Sequence, residues 1–370
     1  MERAGLSARA LRIAAGVGTF VVVAGAGVLA TDAFASGAAA GEPFNRASAD
    51  AFAVVLAVAM TAGASVTFGL EYRQTGRLAS IESQFSTRTF VLMPVAIALN
   101  AVLGATLATA LKLPIYFDSI GTILVAVLCG PVAGAVTGGL ANVLRSYVIP
   151  PPFGDPAAAA FAIVSVAIGL LAGMFARVGW FRPRPERSTP ELVLSGAISL
   201  AVLAGMGWYG YTRFYSEEIV LFAPGADALL VALGVLVLGL VAAAAVGYLY
   251  LLLARRDAAL AWVTVAGVTI GALAALIASP IAANVFGGVT GSGVDFIVTA
   301  FRQAGADIGA ATLQQSLLVD PIDKMLSSLV VYLVITSLAV RTLASFPQGQ
   351  WLVPTPPSRD GAAVGMGDAA

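Results

Sequence analysis

Few polar side chains stand beside the apolar runs of this chain, and they gather in four places. Asp118 opens one such run. Asn142 and Arg145, three residues apart, share a helix face. Asp295, Arg302 and Gln303 follow a glycine-rich turn, and Asp320 and Asp323 flank Pro321-Ile322 beside Lys324. Charged and amide groups next to membrane-like segments are expensive, so these eight residues are the candidates for substrate contact. Each charged position also has a structural use. Asp118 suits the N-cap of a short helix, and Arg145 can snorkel to an interface. Asp320 suits a cap ahead of Pro321 at a first helical position, with Asp323 salt-bridged nearby. The chemistry within reach is binding. The 370 residues include no histidine, and Cys129 is the single cysteine. Histidine-based acid–base work, Cys/His metal clusters and internal disulfides are therefore excluded. No nucleophile–base pair stands out, so no catalytic residue, no metal and no cofactor is expected. The turn Gly287-Gly-Val-Thr-Gly-Ser-Gly293 lacks the Gly-Lys-Ser/Thr ending of a phosphate loop and follows a helix rather than a strand, so the chain brings no ATPase.

These groups must be positioned by membrane helices. The chain is 59% hydrophobic and 11% charged, with mean hydropathy +0.92, where a soluble domain carries about a quarter charged residues. Its solvent is a lipid bilayer, and its zero net charge argues against a nucleic-acid partner. About 20 apolar residues cross a bilayer, which predicts spans at 10–31, 51–70, 89–111, 158–178, 191–212, 226–254, 259–283 and 322–343. The stretch 119–148 is too long for one crossing, and Gly130-Pro131 in its middle predicts a hinge between arms 119–129 and 131–148. The fold class is thus all-α, a polytopic helix bundle of about ten spans. Lys and Arg favour the cytoplasmic side, and the two-arm arrangement puts fourteen of the twenty basic residues there, with both termini. The protein is expected as a multi-pass protein of the cell membrane.

The domain plan follows. Residues 1–75 hold two N-terminal spans, the first ending in Ala33-Phe34-Ala35 like a signal peptide, though its length favours an uncleaved anchor. A cytoplasmic linker (76–88), the main membrane domain (89–345) and a disordered cytoplasmic tail (346–370) come next. The outer segment 284–320 carries amphipathic stretches near 294–303 and 306–318, with Phe296, Ile297, Ala300 and Phe301 as the apolar face of the first. It is read as a lid, with a helix lying on headgroups as the alternative. Gly130, Gly134 and Gly138 repeat every fourth residue, a spacing that lets membrane helices touch. Acidic groups outnumber basic ones on the outer side, which points weakly to a cationic or amine-bearing ligand.

The run Phe117-Asp-Ser-Ile-Gly-Thr-Ile-Leu-Val-Ala-Val-Leu-Cys-Gly-Pro-Val-Ala-Gly-Ala-Val-Thr-Gly138 resembles the substrate-binding S components of energy-coupling factor (ECF) transporters. So do 162–173, Val289–Asp295 and Asp320–Lys324. The resemblance covers about 89–345, an S-component-like core preceded by two extra spans, with eight spans from 89 onward where the family has six. It implies a membrane subunit that captures a vitamin or related micronutrient from outside, working with a T component and two ATP-binding subunits. It also implies that Ala101 and Ala105 form the strip that docks the T component, and that substrate sits under 112–118 and 284–320. A ligand-sensing membrane domain with a separate signalling partner, or a secondary transporter, is the alternative.

Overall fold

A computed structural model describes residues 2–31, 46–111, 113–184, 189–214 and 228–353. The Ala33-Phe34-Ala35 motif, Lys112 and the tail beyond 353 lie outside the described residues. Among those described, the chain is helical, with no strand: α1 (Glu2–Thr31), α2 (Arg46–Thr75), α3 (Ala79–Glu82), α4 (Thr87–Leu103), α5 (Ile120–Cys129), α6 (Pro131–Tyr147), α7 (Ala162–Arg177), α8 (Thr189–Phe214), α9 (Ala228–Arg255), α10 (Ala259–Phe286), α11 (Asp295–Gln303), α12 (Ile308–Ser337) and α13 (Val340–Leu343). Seven helical segments are long and apolar enough to cross a membrane. They lie in α1, α2, α4, α7, α8, α9 and α10, each at an expected span. The other three expected spans are α5 and α6, individually short, and α12, whose centre carries Asp320, Asp323 and Lys324.

Gly130-Pro131 is a hinge. Gly130 adopts φ +132°, open only to glycine at low cost, and Pro131 begins α6 where its missing N–H costs nothing. The arms fold back as an antiparallel hairpin. A Cβ on Gly134 would stand 2.4 Å from that of Ala126, and one on Gly138 would stand 2.8 Å from the Thr122 methyl. Gly169 and Gly173 of α7 approach the α6 backbone equally closely, so the glycine strip serves internal packing. Side-chain amides tie off the loose helix ends. Val132 N–H donates to Gln84 Oε1 at 2.8 Å, and Gln348 Nε2 donates to Ala126 O at 2.8 Å. At the far end Gly121 N–H donates to Asn100 Oδ1 at 2.8 Å. Gln348 is buried, so the tail expected to be disordered from 346 begins with an ordered segment that includes a 3-10 turn at Gly349–Trp351.

The helices alternate in direction, so the molecule has a hinge end and an opposite end. Arg73, Arg77, Arg88, Arg177, Arg182, Arg184, Arg255, Arg256 and Arg341 all fall at the hinge end, while Arg145, Arg213, Arg302 and Lys324 fall toward the other. The α1–α2 pair joins tightly, with Gly16 against Gly63, and flanks the bundle through α2.

The region 284–320 departs from its expected form. It does not end in a helix start at Asp320. α12 begins at Ile308, with Asp307 as its cap accepting from Ala310 N–H at 2.9 Å, and runs unbroken through Pro321 to Ser337. Asp320 is therefore interior rather than capping. On α11 the buried stripe is Ile297, Val298, Ala300 and Phe301, packed against Leu233, Val237 and Val241 of α9, while Phe296 turns outward. Helical periodicity groups 294, 297, 298 and 301 and leaves 296 off that face.

Candidate functional site

At the end opposite the hinge, α4, α6, α7, α10, α11 and α12 and their loops enclose a cavity of about 280 Å³. One wall is apolar, built by Phe161, Val164, Ile168, Ala274, Ala278 and Ala282. The other wall is ionic. Arg145 reaches Asp118 (Nη1–Oδ2, 3.6 Å) and Asp155 (Nη2–Oδ2, 3.3 Å), and Lys324 reaches Asp118 (Nζ–Oδ1, 3.5 Å) and its neighbour Asp323. Gly104, where α4 passes into a π-helical stretch (Gly104–Ala110), leaves room for the Asp118–Arg145 pair: a Cβ there would lie 3.0 Å from Asp118 and 3.2 Å from Arg145. π-helical turns recur at functional sites because they re-aim one face of a helix.

Asp323 is fully buried and accepts from Phe117 N–H at 2.8 Å, which holds Phe117 at φ +50° and fixes the loop that presents Tyr116 and Asp118. Tyr116 faces the cavity, with Lys324 Nζ 5.8 Å from its ring centroid. Burial first, then the nearby Asp320, Asp295 and Asp118 carboxylates, raise its phenol well above the ordinary value, so it stays a neutral donor. Asn142 donates to Ser165 Oγ at 2.6 Å and to Gly138 O at 3.1 Å. Over the opening lies the glycine-rich turn. Asp295 holds it shut by accepting from Thr290 Oγ1 (2.9 Å) and Gly291 N–H (2.6 Å), and Gly293 N–H donates to Ala108 O at 2.9 Å.

Two lining or adjoining groups lack partners among the described residues. Gln315 is 2% exposed and its Nε2 has none, and Arg145 Nε is likewise unsatisfied. Asp320, 5% exposed, lines the cavity with no hydrogen bond or ion pair to its carboxylate. A buried polar group left unpaired is costly, and two such atoms beside a carboxylate at the cavity wall describe a site shaped for a polar guest.

Of the expected contacts, Asp118, Asn142, Arg145, Asp295 and Asp320 line the cavity together. Asp118 is not the cap of α5, and Arg145 does not snorkel, being buried between two carboxylates. Asp323 lies behind the wall. Arg302 and Gln303 fall outside, since Arg302 turns back to donate to Ala306 O at 3.2 Å at the end of α11. Ala101 closes the last turn of α4 and Ala105 lies in the π-helical stretch after it. They are 3% and 6% exposed, turned into this chain, and the face of α4 open to neighbours carries Val91, Val95, Leu99 and Val102. Asp155, Gln315, Ser316 and Lys324 also line the cavity and were not among the contacts expected from the sequence. Asp155 sat in a proline-rich loop and Gln315 in an amphipathic stretch, where polar residues are ordinary. Burial picks out Gln315, and the ion pair to Arg145 picks out Asp155.

Against known proteins the decisive finding is a family match. Residues 88–227 match the model of the ECF transporter, substrate-specific component. The resemblance to S components is supported over that stretch, which runs from α4 through α8 and marks a membrane-bound, substrate-specific transporter component. No curated protein and no solved structure gives a significant match. The S-component stretch supplies Gly104, Tyr116, Asp118, Asn142, Arg145 and Asp155, about half of the polar wall. The other half, Asp295, Gln315, Asp320 and Lys324, comes from α11, α12 and the loop before them, outside the match.

Proposed function

We propose that this chain is the substrate-capturing subunit of an ATP-driven importer of the ECF type, taking a vitamin or related micronutrient from the outer face of the cell membrane. One observation carries the reading: a cavity with unsatisfied buried polar groups lies at the end of an S-component-matching bundle away from its arginine-rich face. A cavity of about 280 Å³ is at the lower edge of the usual range for small-molecule sites, about 300–1,000 Å³, so the guest is compact. Arginine excess at the hinge end supports a cytoplasmic hinge and an outward-facing site. In this role the chain binds and releases substrate, while a T component and two ATP-binding subunits supply the work.

Co-expression with a T component and two ATP-binding subunits of the same organism tests the assembly. The expected outcome is a complex that survives detergent purification and ATP-dependent uptake that stops when an ATP-binding subunit is inactivated. Uptake by this chain alone, collapsed by an ionophore, would instead establish a secondary transporter.

A further inference from the structure

We infer that the cavity takes a compact organic cation, an amine or quaternary ammonium group on a small apolar body, with Asp320 as the partner of its positive charge. The inference rests on the cavity being the substrate site. Around it stand four carboxylates, Asp118, Asp155, Asp320 and Asp323, against two cations, Arg145 and Lys324. Asp295, satisfied by the turn it closes, adds to the same sign. The two cations are already engaged. Arg145 is shared by Asp118 and Asp155, and Lys324, one helical turn beyond Asp320, by Asp118 and Asp323.

Asp320 is the carboxylate left over, buried at the cavity wall without a hydrogen bond or ion pair to any other described residue. A buried carboxylate keeps its charge only with positive charge close by; Lys324, shared with two other carboxylates, supplies part of it, and what fills the cavity is the group placed to supply the rest. Independently, Gln315 Nε2, five residues before Asp320 on α12 and also at the wall, lacks an acceptor among the described residues. An acceptor atom on the same guest satisfies it. The wall opposite is hydrocarbon, from Ala274, Ala278 and Ala282 of α10 with Val164 and Ile168 of α7. An anion would meet that wall or the excess carboxylates. A cation with an apolar body meets Asp320 on one side and alkyl groups on the other.

Three molecules of nearly equal shape separate the possibilities: benzylamine (cationic at neutral pH), benzyl alcohol (neutral) and benzoate (anionic). Purified full-length protein is melted in detergent with each, in wild type, Asp320→Asn and Asp320→Glu. The expected result is a concentration-dependent rise in melting temperature with benzylamine, an apparent affinity lower by about tenfold or more for the alcohol and for benzoate, and a comparable loss of benzylamine binding in Asp320→Asn. Asp320→Glu keeps the charge and retains part of the effect. Should Asp320→Asn fail to fold, Asp320→Glu and the three-probe comparison in wild type still decide. Binding of benzoate or benzyl alcohol as tight as that of benzylamine, or undiminished benzylamine binding in Asp320→Asn, overturns the cation assignment and leaves the substrate-site reading standing. No shift with any of the three overturns both.

Discussion

Asp323 does its work without meeting a ligand. Its carboxylate is fully buried, one oxygen accepting from Phe117 N–H and the other paired with Lys324. A left-handed conformation at a residue such as Phe117 costs about 1–3 kcal/mol, so the loop that presents Tyr116 and Asp118 depends on this one acceptor. Removing it also leaves the buried Lys324 ammonium with Asp118 as its remaining ion-pair partner among the described residues. Asp323→Ala is expected to destabilise the protein by about 3–5 kcal/mol, the range for breaking a buried ion pair, and to abolish ligand binding by freeing the loop. Asp323→Asn keeps an acceptor for Phe117 and is expected to lose less. Thermal melting of the detergent-solubilised proteins measures both, and an Asp323→Ala variant melting with wild type would refute the assignment. The same logic separates Asp323 from Asp320, two carboxylates that look alike in sequence. One is consumed by the protein and the other is left over.

Among the described residues three helices carry an internal proline, at Pro94 in α4, Pro280 in α10 and Pro321 in α12, yet none of them ends there. At Gly130-Pro131, by contrast, α5 ends and the chain folds back into α6. Proline alone therefore does not break a helix in this bundle, where packed neighbours compensate for a lost backbone bond. The break needs the φ +132° that Gly130 provides. That is why the hinge was legible in the sequence and the continuity of α12 was not: Asp320-Pro321 reads like a cap and a first turn, and only packing on α10 shows otherwise. The spans were legible as apolar runs. The amides that close helix ends, Gln84, Asn100 and Gln348, were not, because their partners are distant in the chain.

Packing between α10 and α12 also sets the site. A Cβ on Gly271 would fall 2.3 Å from Asp320 O and 2.5 Å from Pro321 Cα. Gly271→Ala is expected to push α12 outward, costing about 1–3 kcal/mol of stability and weakening ligand binding by moving Asp320. Gly239→Ala, where a Cβ meets nothing within 4 Å, serves as the control and is expected to be neutral or slightly stabilising through helix propensity. Equal melting temperatures and equal binding in the two variants would argue that the α10–α12 contact does not position the site.

At the scale of the molecule, the α5–α6 hairpin decides which way the site faces. A single continuous helix over 119–148 would carry the chain across once. The fold-back at Gly130 carries it across and returns it, so the loop ends holding Asp118 and Asp155 lie together and the arginine-rich loops lie together at the other end. Orientation in the bilayer then follows from charge, since basic residues stay on the cytoplasmic side. Cys129 is buried, which leaves little background for thiol labelling in intact cells. Val289, in the turn over the cavity, and Val340, at the hinge end, are both more than half exposed, at 58% and 55%. Val289→Cys is expected to react with a membrane-impermeant maleimide added to intact cells, and Val340→Cys only after permeabilisation. The opposite pattern would turn the cavity toward the cytoplasm. A capture subunit cannot load from outside through a face that points inward, so that result would remove the importer reading while leaving the bundle and its cavity as described.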